Sequence, residues 1–337
     1  MNDVPSTQQS APQPASPPAS AAPSAGAAAA ALRRNPLGAH VPVAGRGLVG
    51  TGLARAEEIG AEVVQVFVAN PRGWATPPGD PARDEAFRAA CRERGVPAYV
   101  HAPYLINFGS DNAATRERSA DSLRHSLVRA RAIGAAGVVV HTGSAVGTES
   151  DGGSRHAAAM ALVRAGVRPL LDELDAMAAR DEADGLATPW LLLEPTAGQG
   201  RSLCSRMEDL AEYADALDHH PRVGVCLDTC HAFAAGHDLA APGGVGAALD
   251  MLEASFGPGR LKLIHANDSA DVVGSHRDRH ASIGAGRIGA DPFRELFTHP
   301  ATAGVPLVLE TPDRDATAGA GHAADLRLLK QLRARAR

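Results

Sequence analysis

Short apolar runs alternate with longer Ala-rich, charged segments from about Leu37 onwards. The apolar runs have the length and β-branched content of buried strands, and the segments between them have helical length, several of them stopping at glycine. Eight strands are predicted, over residues 38–43, 63–68, 98–101, 138–141, 190–194, 223–228, 261–265 and 305–310. Helices are predicted between them, over residues 48–60, 84–95, 112–134, 155–180, 206–217 and 245–256.

This alternation predicts the architecture. Eight strand–helix repeats in roughly 300 residues, with no linker between them, indicate a (β/α)8 TIM barrel that forms a single α/β domain over residues 36–337. A doubly wound open sheet is the competing architecture, because a strand count from one sequence is fallible. Residues 1–35 are rich in Ala, Pro and Ser and lack the basic start and apolar core of a secretory signal, so they are predicted to be a disordered tail.

The composition narrows the class of protein. The 337 residues are 45% hydrophobic, which suffices for a large core, and no window approaches the roughly 20 apolar residues of a membrane span. The four cysteines show no paired spacing and are predicted to be free thiols in a reducing cytoplasm. A formal charge of −5 argues against gripping nucleic acid through bulk positive charge. Fourteen histidines are the unusual count and direct attention to metal ligands.

The last residues of the predicted strands carry the candidate chemistry. Strands three to eight each end in a side chain that can bind a metal ion, namely His101, His141, Glu194, Asp228, His265 and Glu310. The carboxyl ends of the strands meet at one rim of a TIM barrel, where active sites are built, so these side chains are expected to converge. A satisfied polar residue is a reasonable interpretation of any one strand end, but not of six in succession.

Three further candidates lie just beyond the strand ends. His231 follows Asp228 by three residues, and the alternative for this pair is that Asp228 caps a helix while His231 is an ordinary polar residue. Asp278 and His280 lie two apart after the seventh strand, so in extended backbone both side chains point the same way. His276 lies two residues before Asp278 and is either a decoy or a residue that supports the pair from behind. A solvated charged loop is the alternative for this segment.

These nine side chains comprise five imidazoles and four carboxylates, a set that suits zinc better than magnesium. Nine ligands are too many for one ion and fit about three ions of four or five ligands each, with bridging carboxylates. Three dications and four carboxylates leave a net charge of about +2, which would attract a phosphodiester despite the negative charge of the chain. Clusters of several metal ions favour hydrolytic phosphoryl transfer.

Several motifs resemble those of the endonuclease IV family of AP endonucleases. They are His101-Ala-Pro-Tyr-Leu-Ile-Asn107, Glu194-Pro-Thr-Ala-Gly-Gln-Gly200, Cys226 to His231, His265-Ala-Asn-Asp-Ser269, Asp278-Arg-His280 with Ile283-Gly284, and Leu309-Glu-Thr311. The similarity extends from about Gly38 to near the C-terminus. It implies a three-zinc TIM-barrel enzyme of base excision repair that cuts double-stranded DNA 5′ to an abasic site and leaves a 3′-hydroxyl. It further implies a monomer without an obligate protein partner, and leaves 3′-end cleaning open.

The resemblance also implies roles for the nine ligands. One zinc would be bound by His101, His141 and Glu194. A second would be bound by Glu194, Asp228, His265 and Glu310. The third would be bound by His231, Asp278 and His280. Glu194 would bridge the first two ions, and Glu310 would lie closest to the attacking hydroxide, as its base.

Three residues match the family positions that enter the bent duplex at the lesion. Arg72 lies in the segment Asn70-Pro-Arg-Gly-Trp74, and Tyr104 and Leu105 follow the third strand. An aromatic or aliphatic wedge with an arginine can replace stacking that is lost at an abasic site. Ordinary packing over the barrel rim is the alternative for the wedge pair. Five positions differ from the residues usual in the family without removing a ligand: Thr142, Pro195, Ala270, Ala281 and Ala285.

Two other functions remain open. A sugar isomerase or epimerase of the xylose-isomerase-like barrel group shares metal ligands at the strand ends but needs only one or two ions. The set His231, Asp278 and His280 separates the two hypotheses, because such an isomerase would not require it. The other possibility is a catalytically inactive DNA-binding or scaffold protein, and the complete ligand set argues against it.

Overall fold

A closed barrel of eight parallel strands forms the centre of the computed structural model, which describes residues 1, 34–147, 154–184, 187–313 and 321–336. Around the barrel the strands follow the order β1 (Leu37–His40), β10 (Leu307–Leu309), β7 (Leu261–His265), β6 (Val223–Asp228), β5 (Trp190–Glu194), β4 (Gly137–His141), β3 (Ala98–His101) and β2 (Val64–Phe67). The predicted TIM barrel is therefore confirmed and the open sheet is excluded. A separate antiparallel pair, β8 (Asp268–Ser269) and β9 (His280–Ala281), follows β7.

Helices follow the strands and pack on the outside of the barrel. They are α1 (Ala54–Ile59), which continues a π-helical segment Leu48–Leu53, then α2 (Pro81–Arg94), α3 (Ala113–Ile133), α4 (Arg155–Asp184), α5 (Leu210–Ala216), α6 (Thr229–Ala234), α7 (Gly244–Phe256) and α8 (His322–Arg335). Asp80 begins α2 by accepting hydrogen bonds from two N–H groups of its first turn, and Gly95 ends it at a φ of 64°. No helix among the described residues is long and apolar enough to cross a membrane.

The predicted N-terminal tail lies outside the described residues except for Met1, Arg34 and Asn35. Asn35 is buried, and its side-chain amide donates to the carbonyl oxygens of Thr302 and Val305 at 2.5 and 2.9 Å. Arg34 forms an ion pair with Glu62. Arg34 and Asn35, the last two residues of the predicted tail, therefore contact the barrel domain.

The strands place their side chains in two layers inside the barrel. One layer is apolar and is formed by Val63, Tyr99, Val139, Leu192, Cys226, Leu263 and Val308. Six residues of this layer are each followed, two positions later, by a predicted ligand whose side chain points to the same side of the strand. These ligands are His101, His141, Glu194, Asp228, His265 and Glu310. The apolar layer thus forms the floor of a polar layer at the carboxyl end of the barrel.

The register of the strands sets which ligands are neighbours. His141 on β4 is paired with Glu194 on β5, and Asp228 on β6 is paired with His265 on β7. Because parallel strands lie about 4.8 Å apart, paired residues that face the same side bring their side chains into contact. The barrel itself therefore sets the distances between the polar groups.

Candidate metal centre

The nine predicted ligands come together in one continuous cluster. Their ligand atoms form three groups, and within each group all of these atoms lie within 4.8 Å of one another. The groups are His101, His141 and Glu194; then Glu194, Asp228, His265 and Glu310; then His231, Asp278 and His280. Glu194 belongs to two groups, so the first two groups share one carboxylate.

The first group has the spacing of ligands around a small cation. His101 Nε2 and His141 Nε2 lie 3.3 and 3.4 Å from Glu194 Oε2. Ligands about 2.0–2.1 Å from a tetrahedral zinc ion are about 3.3 Å from one another. His101 Nε2 and Glu194 Oε2 are buried and have no hydrogen-bond partner among the described residues. A buried polar atom without a partner costs about 1–3 kcal/mol. A cation bound between these two atoms would give both of them a partner and remove that cost.

The second group surrounds one nitrogen of His265 with carboxylates. Its Nδ1 lies 3.0 Å from Glu194 Oε1, 3.3 Å from Glu310 Oε2 and 3.9 Å from Asp228 Oδ2. Asp228 and His265 are fully buried, whereas the Glu310 side chain is 13% exposed. Glu310 is therefore the member of this group that solvent can reach.

The third group is held by the residues beyond the barrel strands. Asp278 Oδ1 lies 3.3 Å from His231 Nε2 and 3.1 Å from His280 Nε2. His280 Nε2 also lies 3.4 Å from Asp228 Oδ2 and is buried with no hydrogen-bond partner in the described part of the chain. Asp228 therefore connects the second group with the third.

Three of the histidines are oriented by backbone carbonyl groups. The Nδ1 atoms of His101, His231 and His280 lie 2.7, 3.1 and 3.1 Å from the carbonyl oxygens of Ala102, Pro195 and Glu310. A carbonyl only accepts hydrogen bonds, so each Nδ1 carries a hydrogen, and Nε2 is the ring nitrogen that faces the cluster. Pro195 departs from the family pattern, but it contributes a carbonyl that any residue would have.

Opposite charges that lie close together shift the pKa values of the histidines and carboxylates in the cluster. Burial lowers the pKa of His231, but Asp228, Asp278 and Glu194 outweigh it and raise that pKa to about 9. Burial likewise raises the pKa of Glu194, yet the neighbouring His265 and other histidines hold it well below its ordinary value. In the chain alone, protons on His231, His265 and His280 therefore balance the carboxylates, whereas burial lowers the pKa of His141 to about 4. Cations at the same place would do so without them.

Three polar side chains of the centre were not predicted. His40 ends β1, and Gln65 lies on β2 two residues after Val63, so all eight strands contribute to the polar layer. Asn267 donates from Nδ2 to Asp228 Oδ2 at 2.8 Å, and its Oδ1 accepts from the backbone N–H of Glu310 at 2.8 Å. The spacing of two from an apolar interior residue, repeated along the strands, would have identified Gln65.

His276 does not join the cluster. Its backbone has a φ of 52°, its N–H donates to the carbonyl of Ala234 at 3.0 Å, and its ring lies against Gly198. The positive φ interrupts the extended backbone, so His276 is separated from Asp278 and His280 although a spacing of two would place all three on one side of an extended strand. His280 begins β9, whereas Asp278 lies in the loop before it and its side chain is 40% exposed.

The predicted DNA-contacting residues lie on two loops that touch each other. The Tyr104 N–H donates to the carbonyl of Pro71 at 3.0 Å, and Arg72 beside it is exposed. Tyr104 and Leu105 are 44% and 36% exposed. The Tyr104 ring centroid is 5.4 Å from that of His141. Tyr104 and Leu105 line a cleft of about 390 Å³, together with His141, His231 and Asp278.

Comparisons with known proteins give two kinds of likeness. The family described as a xylose isomerase-like TIM barrel, AP endonuclease 2, matches residues 53–332. "Probable endonuclease 4" of Streptomyces avermitilis is 62% identical over 302 residues, which cover 90% of this chain and 91% of the relative. "Probable endonuclease 4" of Streptomyces coelicolor is 62% identical over 305 residues, covering 90% and 97%.

Among solved structures, the endonuclease IV of Thermus thermophilus has a TM-score of 0.72 at 32% identity, with 89% of this chain and 99% of that chain covered. A D-tagatose 3-epimerase-like protein has a TM-score of 0.62 at 16% identity, with 89% and 98% covered. The second likeness shows a common fold and no more.

Proposed function

Because the chain belongs to the endonuclease IV family, we propose that it is a zinc-dependent AP endonuclease of base excision repair. Its substrate would be double-stranded DNA with an abasic site. It would hydrolyse the phosphodiester 5′ to that site and leave a 3′-hydroxyl, and 3′-end cleaning is an extension to be assayed. The observation that carries the proposal is that three ligand groups lie together in one cluster.

The three groups would hold three zinc ions, with Glu194 as the bridge between the first two. Its two oxygens support this role, because Oε2 faces His101 and His141 while Oε1 faces His265. When bound, zinc ions would supply Lewis-acid stabilisation of a phosphodiester and a water of lowered pKa. The cluster would thereby provide the local positive charge that the net charge of −5 lacks.

Glu310 would accept the proton of the attacking water. Its carboxylate stands at the solvent-accessible edge of the cluster, whereas Glu194 is fully buried. Gln65 donates to Glu310 Oε1 at 2.6 Å, and Oε2 faces His265 Nδ1. Both oxygens are thus held in place, which is the requirement for a base that must act on a positioned water.

Arg72, Tyr104 and Leu105 would hold the duplex open at the lesion. Tyr104 stands directly over the candidate ligands His101 and His141, at centroid distances of 5.2 and 5.4 Å, and is nearly half exposed. An exposed aromatic ring at that place can stack where a base is missing, at little cost in unstacking. The exposed guanidinium of Arg72 can enter the same gap from the adjoining loop.

The alternative of a sugar isomerase or epimerase finds support only in the shared fold. The group of His231, Asp278 and His280 has no task in a centre of one or two ions. This third group therefore favours the endonuclease over the isomerase.

Incision of a duplex with a tetrahydrofuran abasic analogue tests the proposal. We expect cleavage without added magnesium, loss of cleavage after zinc chelation, and a product that a DNA polymerase can extend from its 3′-hydroxyl. Elemental analysis should find three zinc ions per chain. Three ions without incision would refute the repair function, and a single ion would favour the isomerase.

A matched pair of variants adds a control within one loop. Asp278→Asn should lose one zinc ion and most of the incision activity, because it removes the carboxylate between two histidines. Asp271→Asn changes a carboxylate that pairs with Arg279 and belongs to no ligand group, so it should keep all three ions. Equal zinc loss in both variants would contradict the role of Asp278.

A further inference from the structure

Gln65 is fully buried in the polar layer and touches two of the candidate ligands without being one. Its Nε2 lies 2.6 Å from Glu310 Oε1 and 3.0 Å from His40 Nδ1. Its Oε1 lies 2.9 Å from His265 Nε2. The amide has one acceptor atom and two hydrogens, so its oxygen and both of its N–H groups have a partner.

Chemistry fixes the orientation of this amide. The Glu310 carboxylate can only accept, so the amide nitrogen must face it and the amide oxygen must face His265. The oxygen in turn can only accept, so His265 Nε2 carries a hydrogen. In the neutral imidazole, Nδ1 is then the atom with the free lone pair.

That lone pair points at the three carboxylates of the second group. The other tautomer would carry a hydrogen on Nδ1, which would donate to Glu194 Oε1 3.0 Å away. Two candidate ligands would then satisfy each other, and a cation would have to break their hydrogen bond to enter. Gln65 favours the tautomer that leaves the position open.

His265 differs in this respect from three of the other histidines. His101, His231 and His280 are held through Nδ1 by backbone carbonyls and present Nε2. His265 is held through Nε2 by a side chain and presents Nδ1. Its support can therefore be removed by a single substitution that leaves the backbone in place.

We propose that Gln65 is a positioning residue for the second zinc ion, which selects the His265 tautomer that binds through Nδ1 and at the same time fixes the Glu310 carboxylate. This rests on the proposed function to the extent that the cation is zinc. Partners that orient a metal-binding histidine typically contribute 10–100-fold in metal affinity. Gln65 contacts two ligands of the same group, so a loss of about 100-fold is expected when it is removed.

Zinc retention tests the proposal without DNA. Gln65→Met has a similar length and no hydrogen-bonding atoms, and it should release one zinc ion per chain at a chelator concentration about 100-fold below that needed by the unchanged protein. Gln65→Glu keeps an acceptor for His265 Nε2 but places a second carboxylate against Glu310. It should show a smaller loss than Gln65→Met.

Val64→Ala is the matched control. Val64 precedes Gln65 on β2, is fully buried, and packs in the large apolar core rather than in the apolar layer inside the barrel. It should destabilise the barrel and keep its zinc. Retention by Gln65→Met equal to that of the unchanged protein would overturn the inference. A zinc loss in Val64→Ala as large as in Gln65→Met would overturn it as well.

The two proposals fail in different ways. If the zinc-loaded protein does not cut abasic DNA, the proposed function fails, and the retention comparison still decides the role of Gln65. If the protein cuts abasic DNA and Gln65→Met keeps its zinc, only the inference on Gln65 fails.

Discussion

Replacing Asp268 with Asn should cost about 3–6 kcal/mol in the free energy of unfolding. The carboxylate is fully buried and accepts five backbone N–H groups. Oδ1 accepts from Ser269 and Ile288 at 2.7 and 2.9 Å. Oδ2 accepts from Gly284, Gly286 and Gly289 at 3.0, 3.0 and 3.2 Å. One side chain thus holds the loop that follows β9.

The magnitude follows from what an amide cannot do. Asn keeps a single oxygen, and its NH2 group would face at least two N–H donors that it cannot satisfy. Each hydrogen bond to a charged group contributes about 1.5–3 kcal/mol, which gives the range for two lost bonds. The loop cannot shift closer to compensate, because even a Cβ on Gly286 would lie 2.4 Å from Asp268 Oδ1. The free energy of unfolding of a domain is about 5–15 kcal/mol in total, so a loss of this size should be readily measurable.

Urea unfolding at pH 7 measures this loss, with Asp271→Asn as the control. Asp271 lies three residues away in the loop between β8 and β9 and pairs with the exposed Arg279, so its change should have a smaller effect. Asp268→Asn should also weaken the third ligand group, because Asp268 and Ser269 on β8 pair with Ala281 and His280 on β9. A loss no greater than that of the control would refute the reasoning.

Three further outcomes are expected. Glu310→Gln should lower kcat for incision at least 100-fold while the affinity for abasic DNA changes little, since general-base contributions are about 10²–10⁴-fold; equal losses in both would contradict its place beside the nucleophile. Tyr104→Ser should raise KM without lowering Tm, whereas Val128→Ala, an exposed apolar residue on α3, should change neither; a fall in Tm for Tyr104→Ser would indicate a packing role instead. Burial raises the pKa of Glu62, but its hydrogen bonds with Arg333 hold that pKa below the ordinary 4.5. The stability that the ion pair gives is present above pH 4.5 and is lost as the pH falls through the pKa of Glu62 in the folded state. Glu62→Gln should therefore be less stable than the unchanged protein at neutral pH, and the difference in unfolding free energy should shrink in acid. A constant difference from pH 7 to pH 3 in urea titrations would count against the ion pair.

The barrel and its ligands could be predicted from local patterns, because at the strand ends that carry ligands a run of apolar residues is followed by a polar residue. His40 was missed because the end of its strand was misplaced. Residues 38–43 were predicted as one strand, yet β1 ends at His40, and residues 63–68 were predicted where β2 spans Val64–Phe67. His40 therefore fell inside a predicted strand rather than at its end, whereas Gln65 lies inside β2 in the structure as well and is not a strand end. The position of a strand end is set by the shear of the closed barrel, which a single strand does not encode.

Long-range contacts are the other part that the sequence does not give. Asn267 bridges Asp228 and Glu310, which are 39 and 43 residues away from it. Gln65 reaches residues 200 and 245 positions later. Each of these amides is an ordinary polar residue in the sequence, and only closure of the barrel brings it to the ligands. The ligand types could be predicted from local patterns and the spacing of two marks the position of Gln65, but the ligands that these amides contact could not be predicted.

Asp228 shows why two opposed hypotheses from a sequence can both hold. Capping a helix and facing a metal centre were alternatives for this residue, yet a carboxylate has two oxygens. Oδ1 accepts from the backbone N–H of His231 at 2.9 Å and begins α6, while Oδ2 accepts from Asn267 and faces His280 Nε2. The cap places His231 on the first turn of a short helix, where its ring can reach Asp278.

The same hydrogen bond that satisfies the helix therefore also sets the third ligand group. We accordingly expect Asp228→Asn to leave α6 capped, because an asparagine oxygen can still accept from His231. It should nevertheless lose the connection between the second and third groups, because Oδ2 becomes an NH2 that cannot bind a cation. Elemental analysis showing three zinc ions in a folded Asp228→Asn protein would contradict this division of labour between the two oxygens.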